Sequence, residues 1–114
     1  MAKKTYPAPS LLDMERVTTH PGEMLSEEFL KPLGMSARAL AKEIDVPGNR
    51  LTEMIAGRRG LTADTAIRLA RYFGASAEFG MSLQAMHDLT KEVVEKRKAY
   101  VKIKTRKLED TGAA

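Results

Sequence analysis

Asn49, Arg50, Thr52 and Glu53 fall within five residues of one another, and their side chains suit the edges of nucleobases. Asparagine can pair with adenine through two hydrogen bonds, arginine can do so with guanine, and a carboxylate can accept from cytosine. Gly48 stands just ahead of them; it reads nothing, but it lets the backbone come close to a phosphate. Four cations flank the group. Arg38 and Lys42 are four apart, so they share a face of any helix that holds both, and Arg58-Arg59 follow the run. Cations so placed clamp phosphates, which gives affinity and register without sequence information. Any surface helix carries polar residues on its wet face, so the chemistry depends on what positions these side chains.

Apolar spacing identifies the positioning elements. In the run 36–57, SARALAKEIDVPGNRLTEMIAG, Leu40 and Ile44 are spaced i,i+4, and Leu51, Met54 and Ile55 repeat that geometry on a second segment after Val46. Ala41 lies where a larger side chain would hold the two segments apart. Two short helices joined by a tight corner form a helix-turn-helix, in which the first braces the second for entry into the DNA major groove. Ser36 caps the first, over 37–44, and the second runs from 47 or 48 to 56, with Gly57 as its stop. Asp45 takes the corner, where the chain turns with positive φ; aspartate tolerates that conformation better than most residues.

Two helices cannot bury a core alone, and the flanking sequence supplies more. Pro21 opens a helix bearing Met24, Leu25 and Phe29, and Pro32 to Gly34 ends it. Thr62 caps a fourth helix, with Asp64 near the positive end of its dipole, a buried stripe of Ala66, Leu69, Ala70 and Phe73, and Gly74 as its stop. Arg68 and Arg71 on that helix read as solvated or paired with Asp64. Ser76 caps a fifth helix carrying Phe79, Leu83, Met86 and Leu89, and its pattern continues through Val93, Val94 and Tyr100. Val101 to Lys104 alternates like a strand. The expected fold is all-α, with five helices over 20–90. Residues 1–19, with Pro7 and Pro9, are expected to form a flexible arm holding a short ordered piece over 11–17, and 91–114 a basic extension.

Charge and composition exclude several classes. Residues 1–90 carry eleven Lys/Arg against eleven Asp/Glu, while 91–114 carry eight against four, so the whole net charge of +4 lies in the tail. With no cysteine there is no disulfide, thiolate metal site or Cys nucleophile. His20 and His87 stand too far apart in sequence to make a paired-His metal motif, so no metal or cofactor is expected. His20 reads as the residue that leads into the first helix. No serine sits in a nucleophile motif, so catalysis is not expected either. Seven methionines fit core filling, with Met24, Met54 and Met86 on apolar stripes. No run is long enough to span a bilayer, and the opening MAKKTYPAPS lacks a signal-type apolar stretch, which implies a cytoplasmic protein.

The segment 20–89 resembles the HigA/VapI branch of the XRE, lambda-repressor-like, helix-turn-helix family. The resemblance rests on HPGEML at 20–25, EEFLKPLGMS at 27–36, RRGLTADTAIRLARYFG at 58–74 and SLQAMHDL at 82–89. It implies a lambda-repressor-like fold with a C-terminal helical extension, DNA binding, repression and dimerisation. It also implies an antitoxin that neutralises a small ribonuclease toxin and represses its own operon. Two positions depart from the branch: Ala37 replaces a phosphate-clamping glutamine, and Gly80 stands where the branch has tryptophan.

Base contacts are therefore expected from Asn49, Arg50, Thr52 and Glu53, and phosphate contacts from Arg38, Lys42, Gly48, Arg58 and Arg59. A homodimer is expected to meet through Phe79, Leu83 and Met86. Its two-fold axis implies an inverted-repeat operator in double-stranded DNA, with half-sites about 34 Å apart. Two alternatives stand beside this reading. One is an XRE-family regulator without a toxin. The other is a module that binds nucleic acid through the tail cations Lys96, Arg97, Lys98, Lys102, Lys104, Arg106 and Lys107.

Overall fold

Local capping signals divide the chain, described over residues 10–106 in a computed structural model, into a 3₁₀ turn and five helices. The turn is Leu11–Asp13. The helices are α1 (21–33), α2 (Ala37–Glu43), α3 (Gly48–Ile55), α4 (Ala63–Phe73) and α5 (Ala77–Val101). Ser36 Oγ accepts the Ala39 N–H (3.0 Å), Thr62 Oγ1 that of Thr65 (3.4 Å) and Ser76 Oγ that of Phe79 (3.0 Å). Each satisfies a donor that a helix start leaves without a partner. Gly34 (φ 62°) and Gly74 (φ 66°) stop α1 and α4 in the left-handed conformation that a Cβ disfavours.

Helix α1 is not uniform. It begins as α-helix over Pro21–Met24, widens to π-helix over Leu25–Leu30 and closes with Lys31–Leu33. Pro32 has no N–H, and its ring crowds the carbonyl four residues back; a widened turn ahead of it relieves that clash. The proline therefore lies inside the last turn, and Gly34 is the stop.

His20 caps this helix, its Nδ1 accepting the Gly22 N–H at 2.9 Å. Its ring meets that of His87 edge-on, with centroids 4.8 Å apart. Burial first, and the neighbouring His87 second, lower the pKa of His20 below 6.5, against a weaker upward pull from Asp88 and Glu23.

The core is one cluster: Leu25, Leu30, Leu40, Ala41, Ile44, Leu51, Met54, Leu61 and Ala66. Ala41 packs at the α2–α3 crossing with 1% of its surface exposed, beside Leu40 and Leu51 at 0%. The corner is Asp45, at φ 60°, and the Val46 N–H reaches back to the Ala41 carbonyl (3.0 Å). Gly22 decides how closely α1 approaches α3. A Cβ there would lie 2.1 Å from the Met54 carbonyl oxygen, so only glycine fits. Gly80, in α5, faces Leu61, and beside it an apolar cavity of about 120 Å³ opens, lined by Met24, Phe29, Leu69, Phe73 and Leu83 among others.

Residues 10–19, assigned to the arm, lie along α5. Thr18 N–H donates to Thr90 Oγ1 (3.0 Å), and His87 Nδ1–H donates to the Thr18 carbonyl (2.8 Å). Arg97 donates from Nε to the Leu12 carbonyl (3.0 Å) and from Nη2 to that of Met14. The strand-like reading of Val101 to Lys104 is corrected. Helix α5 runs to Val101, after a distortion at Lys96 (φ −128°), and the Ile103 N–H closes a turn on the Tyr100 carbonyl (3.1 Å). Local helical partners satisfy this backbone, and the described residues hold no strand to supply a ladder.

Two outcomes follow from this architecture. Gly22→Ala drives a methyl group into backbone and should destabilise the fold by about 2 kcal/mol or more, read from urea unfolding. For His20, the folded state holds the pKa below 6.5, so as pH falls through that value the unfolded chain takes up the proton more readily. Its contribution is full above 6.5 and is lost on acidification. The melting temperature should fall between about pH 7 and pH 5, a range set by the histidine titration. His20→Asn, which caps without titrating, should remove part of that slope.

Candidate nucleic-acid interface

Helix α3 advances about 100° per residue, so one face serves the core and the other faces away. Leu51 and Met54 are buried, Asn49 and Ala56 are exposed, and Thr52 and Glu53 are half-buried. Asn49 is thus displayed at the first turn of α3. Thr52 Oγ1 donates back to the Asn49 carbonyl at 3.3 Å, which restrains its hydroxyl.

The other two side chains expected to read bases are held by neighbours. Arg50 leans towards α4, where its Nη1 donates to Asp64 Oδ2 at 2.8 Å, and its side chain is 31% exposed. Glu53 is paired with Arg59, Oε1 to Nη2 at 2.9 Å. Arg59, expected on phosphate, is therefore tied to α3, and both it and Arg58 beside it are exposed.

At the start of α3 two expected phosphate residues come together. The place where a Gly48 Cβ would stand is 2.7 Å from Arg38 Nη1, so the missing side chain lets the guanidinium lie over the helix start. Pro47 makes no side-chain cap, leaving the first N–H groups of α3 to another acceptor. A cation over the positive end of a helix dipole is a cradle for a phosphate oxygen. Lys42 is exposed on α2.

Asp64 joins more than its expected partner. Arg68 Nε donates to both its oxygens, at 3.1 Å each, in addition to the Arg50 bond. The Arg68 hydrogen bonds above all, helped against a small desolvation penalty by the one from Arg50, hold the exposed Asp64 carboxyl below its ordinary pKa. Arg68 Nη1 also donates to the carbonyls of Ile44 (2.9 Å) and Asp45 (3.3 Å) at the corner. The i,i+4 spacing of Asp64 and Arg68 forecasts their pairing. Nothing local forecasts the Arg50 bond, which spans fourteen residues.

Phe79 is 55% exposed and Met86 39%. Leu83, grouped with them from the sequence, is half-buried and turned towards the apolar cavity. In the tail, Lys96 pairs with Glu92 at 3.0 Å and Arg97 is committed to Leu12 and Met14. Lys107 lies outside the described residues.

The fold is the lambda-repressor-like helix-turn-helix fold with a long C-terminal helix. The family model described as "Helix-turn-helix" matches residues 27–79, and the chain belongs to that XRE-type family. Virulence-associated protein I of Dichelobacter nodosus is 51% identical over 75 residues, which cover 66% of this chain and 69% of that protein. Among solved structures, Pseudomonas aeruginosa antitoxin HigA with the higBA promoter is 38% identical, with a TM-score of 0.71 over 78% of this chain and 97% of that one. An addiction module antidote protein of the HigA family from Coxiella burnetii is 40% identical, with a TM-score of 0.75 over 81% and 100% of the two chains.

Proposed function

We propose that this chain is a HigA-type antitoxin. As a cytoplasmic dimer it represses its own operon through an inverted-repeat operator and neutralises a small ribonuclease toxin. The observation that carries the DNA half is the start of α3, where exposed Asn49 adjoins the Arg38–Gly48 cradle. A phosphate seated in that cradle fixes the register, and Asn49 then lies at a base edge. Lys42 and Arg58, both exposed, extend the phosphate footprint on either side of α3. The HigA likeness carries the toxin half, and the solved relative bound to a promoter supports the DNA half independently.

Exposed Phe79 and Met86 give the two-fold contact its apolar centre, with Leu83 behind them. Among the described residues no helix is long and apolar enough to cross a membrane. The tail reading is weaker. Two of its three consecutive cations, Lys96 and Arg97, are engaged within the fold.

Footprinting on the chain's own promoter tests the DNA half. Protection should fall in two patches about 34 Å apart, and affinity should drop with salt at a log–log slope of about −4 or steeper. Asn49→Ala should cost about 1–3 kcal/mol on the operator and relax selectivity at one base pair, whereas Lys42→Ala or Arg58→Ala should weaken all sequences alike and reduce the slope by about 1. An unprotected promoter and a flat salt profile would overturn the DNA reading. Co-expression with the neighbouring reading frame tests the antitoxin half. Growth arrest by that gene alone, relieved by this chain, is the expected result; no arrest leaves an XRE-family regulator without a toxin.

A further inference from the structure

A continuous chain of hydrogen bonds runs across the face proposed to meet DNA. It starts at the carbonyls of Ile44 and Asp45, passes through Arg68 to the carboxylate of Asp64, and ends on the guanidinium of Arg50. It thereby joins the corner, the first turn of α4 and the first turn of α3. Stability does not account for it. The Asp64 side chain is 56% exposed, and ion pairs so open to water add little to stability. Its charge is also of the wrong sign beside a DNA backbone, where a carboxylate repels phosphates.

What the arrangement supplies is aim. Arginine recognises guanine through two donors held in one plane, so the pose of the fork matters as well as its charge. Asp64 engages Arg50 through Nη1, which orients the Nε–Nη2 edge for a second acceptor. Arg68 is tied to the corner carbonyls that also set the angle of α3, so the pose of Arg50 is referenced to the helix that carries it.

We propose that Asp64 is a specificity-determining positioning residue, which aims the Arg50 guanidinium at a guanine and, through Arg68, locks that aim to the helix-turn-helix corner. The inference rests on the DNA-binding reading above and deepens it by naming the base type and the residue that secures its recognition.

The test compares affinities for the footprinted operator duplex and a scrambled duplex of equal length, at one salt concentration, using the full chain. Asp64→Asn should lower the operator-to-scrambled ratio about tenfold, while affinity for the scrambled duplex stays level or rises because a negative charge has gone. Arg50→Ala in the Asp64→Asn background should cost little more, since the two side chains act as a unit. Arg50→Lys, which keeps the charge and the Asp64 pairing but not the fork, should reproduce the lost ratio. Circular dichroism melts should be nearly unchanged for both single variants.

If Asp64→Asn lowers both affinities together and leaves their ratio intact, Asp64 has only a structural role and the proposal fails. A ratio that rises overturns it too, because the carboxylate would then be withholding Arg50 from the bases. If the wild-type chain itself does not prefer the operator, the DNA-binding reading falls and takes this inference with it; a preference retained in Asp64→Asn sinks the inference alone.

Discussion

Leu40 and Ala41 of α2 meet Leu51 and Met54 of α3, and the burial of these four side chains holds the opposite face of α3 outward. The outward face of α3 depends on that seam. Truncating a fully buried leucine costs about 2–5 kcal/mol, a large part of a small domain's stability. Ala41 matters for what it lacks, because a longer side chain would lever α3 away from α2. The corner completes the constraint, with Asp45 in a conformation that costs a non-glycine residue energy. Gly22 closes the remaining side by letting α1 pack onto the backbone of Met54.

Upon that frame the surface electrostatics act through geometry more than through energy. Arg50 with Asp64, and Glu53 with Arg59, are exposed or half-exposed pairs of small net worth. Their effect is to reduce the number of rotamers that α3 presents. A base-reading helix whose long side chains are pre-aligned loses less conformational entropy when it docks. Asn49 needs no such restraint because it is short, whereas Arg50 and Glu53 carry several rotatable bonds each.

Helix α5 serves two regions with two faces. Near its start, Leu83 and Gly80 border the apolar cavity while Phe79 and Met86 are exposed. Further along, Thr90 and Val93 are buried, and Thr90, His87 and Arg97 receive residues 10–19. Arg97 satisfies the carbonyls of Leu12 and Met14 with one planar group. A residue that the sequence groups with nucleic-acid-binding cations is thus used to hold the chain's own backbone.

Helix ends were legible because their causes are local. Ser36, Thr62 and Ser76 cap donors three residues away, Gly34 and Gly74 stop helices by their own conformation, and apolar spacing gave the seam. The exposure of Asn49 was likewise readable, since a helix-turn-helix fixes its exposed face from a run of about twenty residues, whereas the approach of Arg38 to Gly48 crosses from one helix to the next. Tertiary structure alone decided the rest. The hold of Asp64 on Arg50, the fit of Gly22 against Met54 and the packing of Thr18 on Thr90 join residues far apart in the chain, so no local period encodes them. Even the end of α5 belongs here, where two alternating apolar residues suggested a strand but helical partners were already in place. Periodicity and capping report how each segment satisfies its own backbone, whereas pairing between segments depends on distances that exist only once the helices are packed.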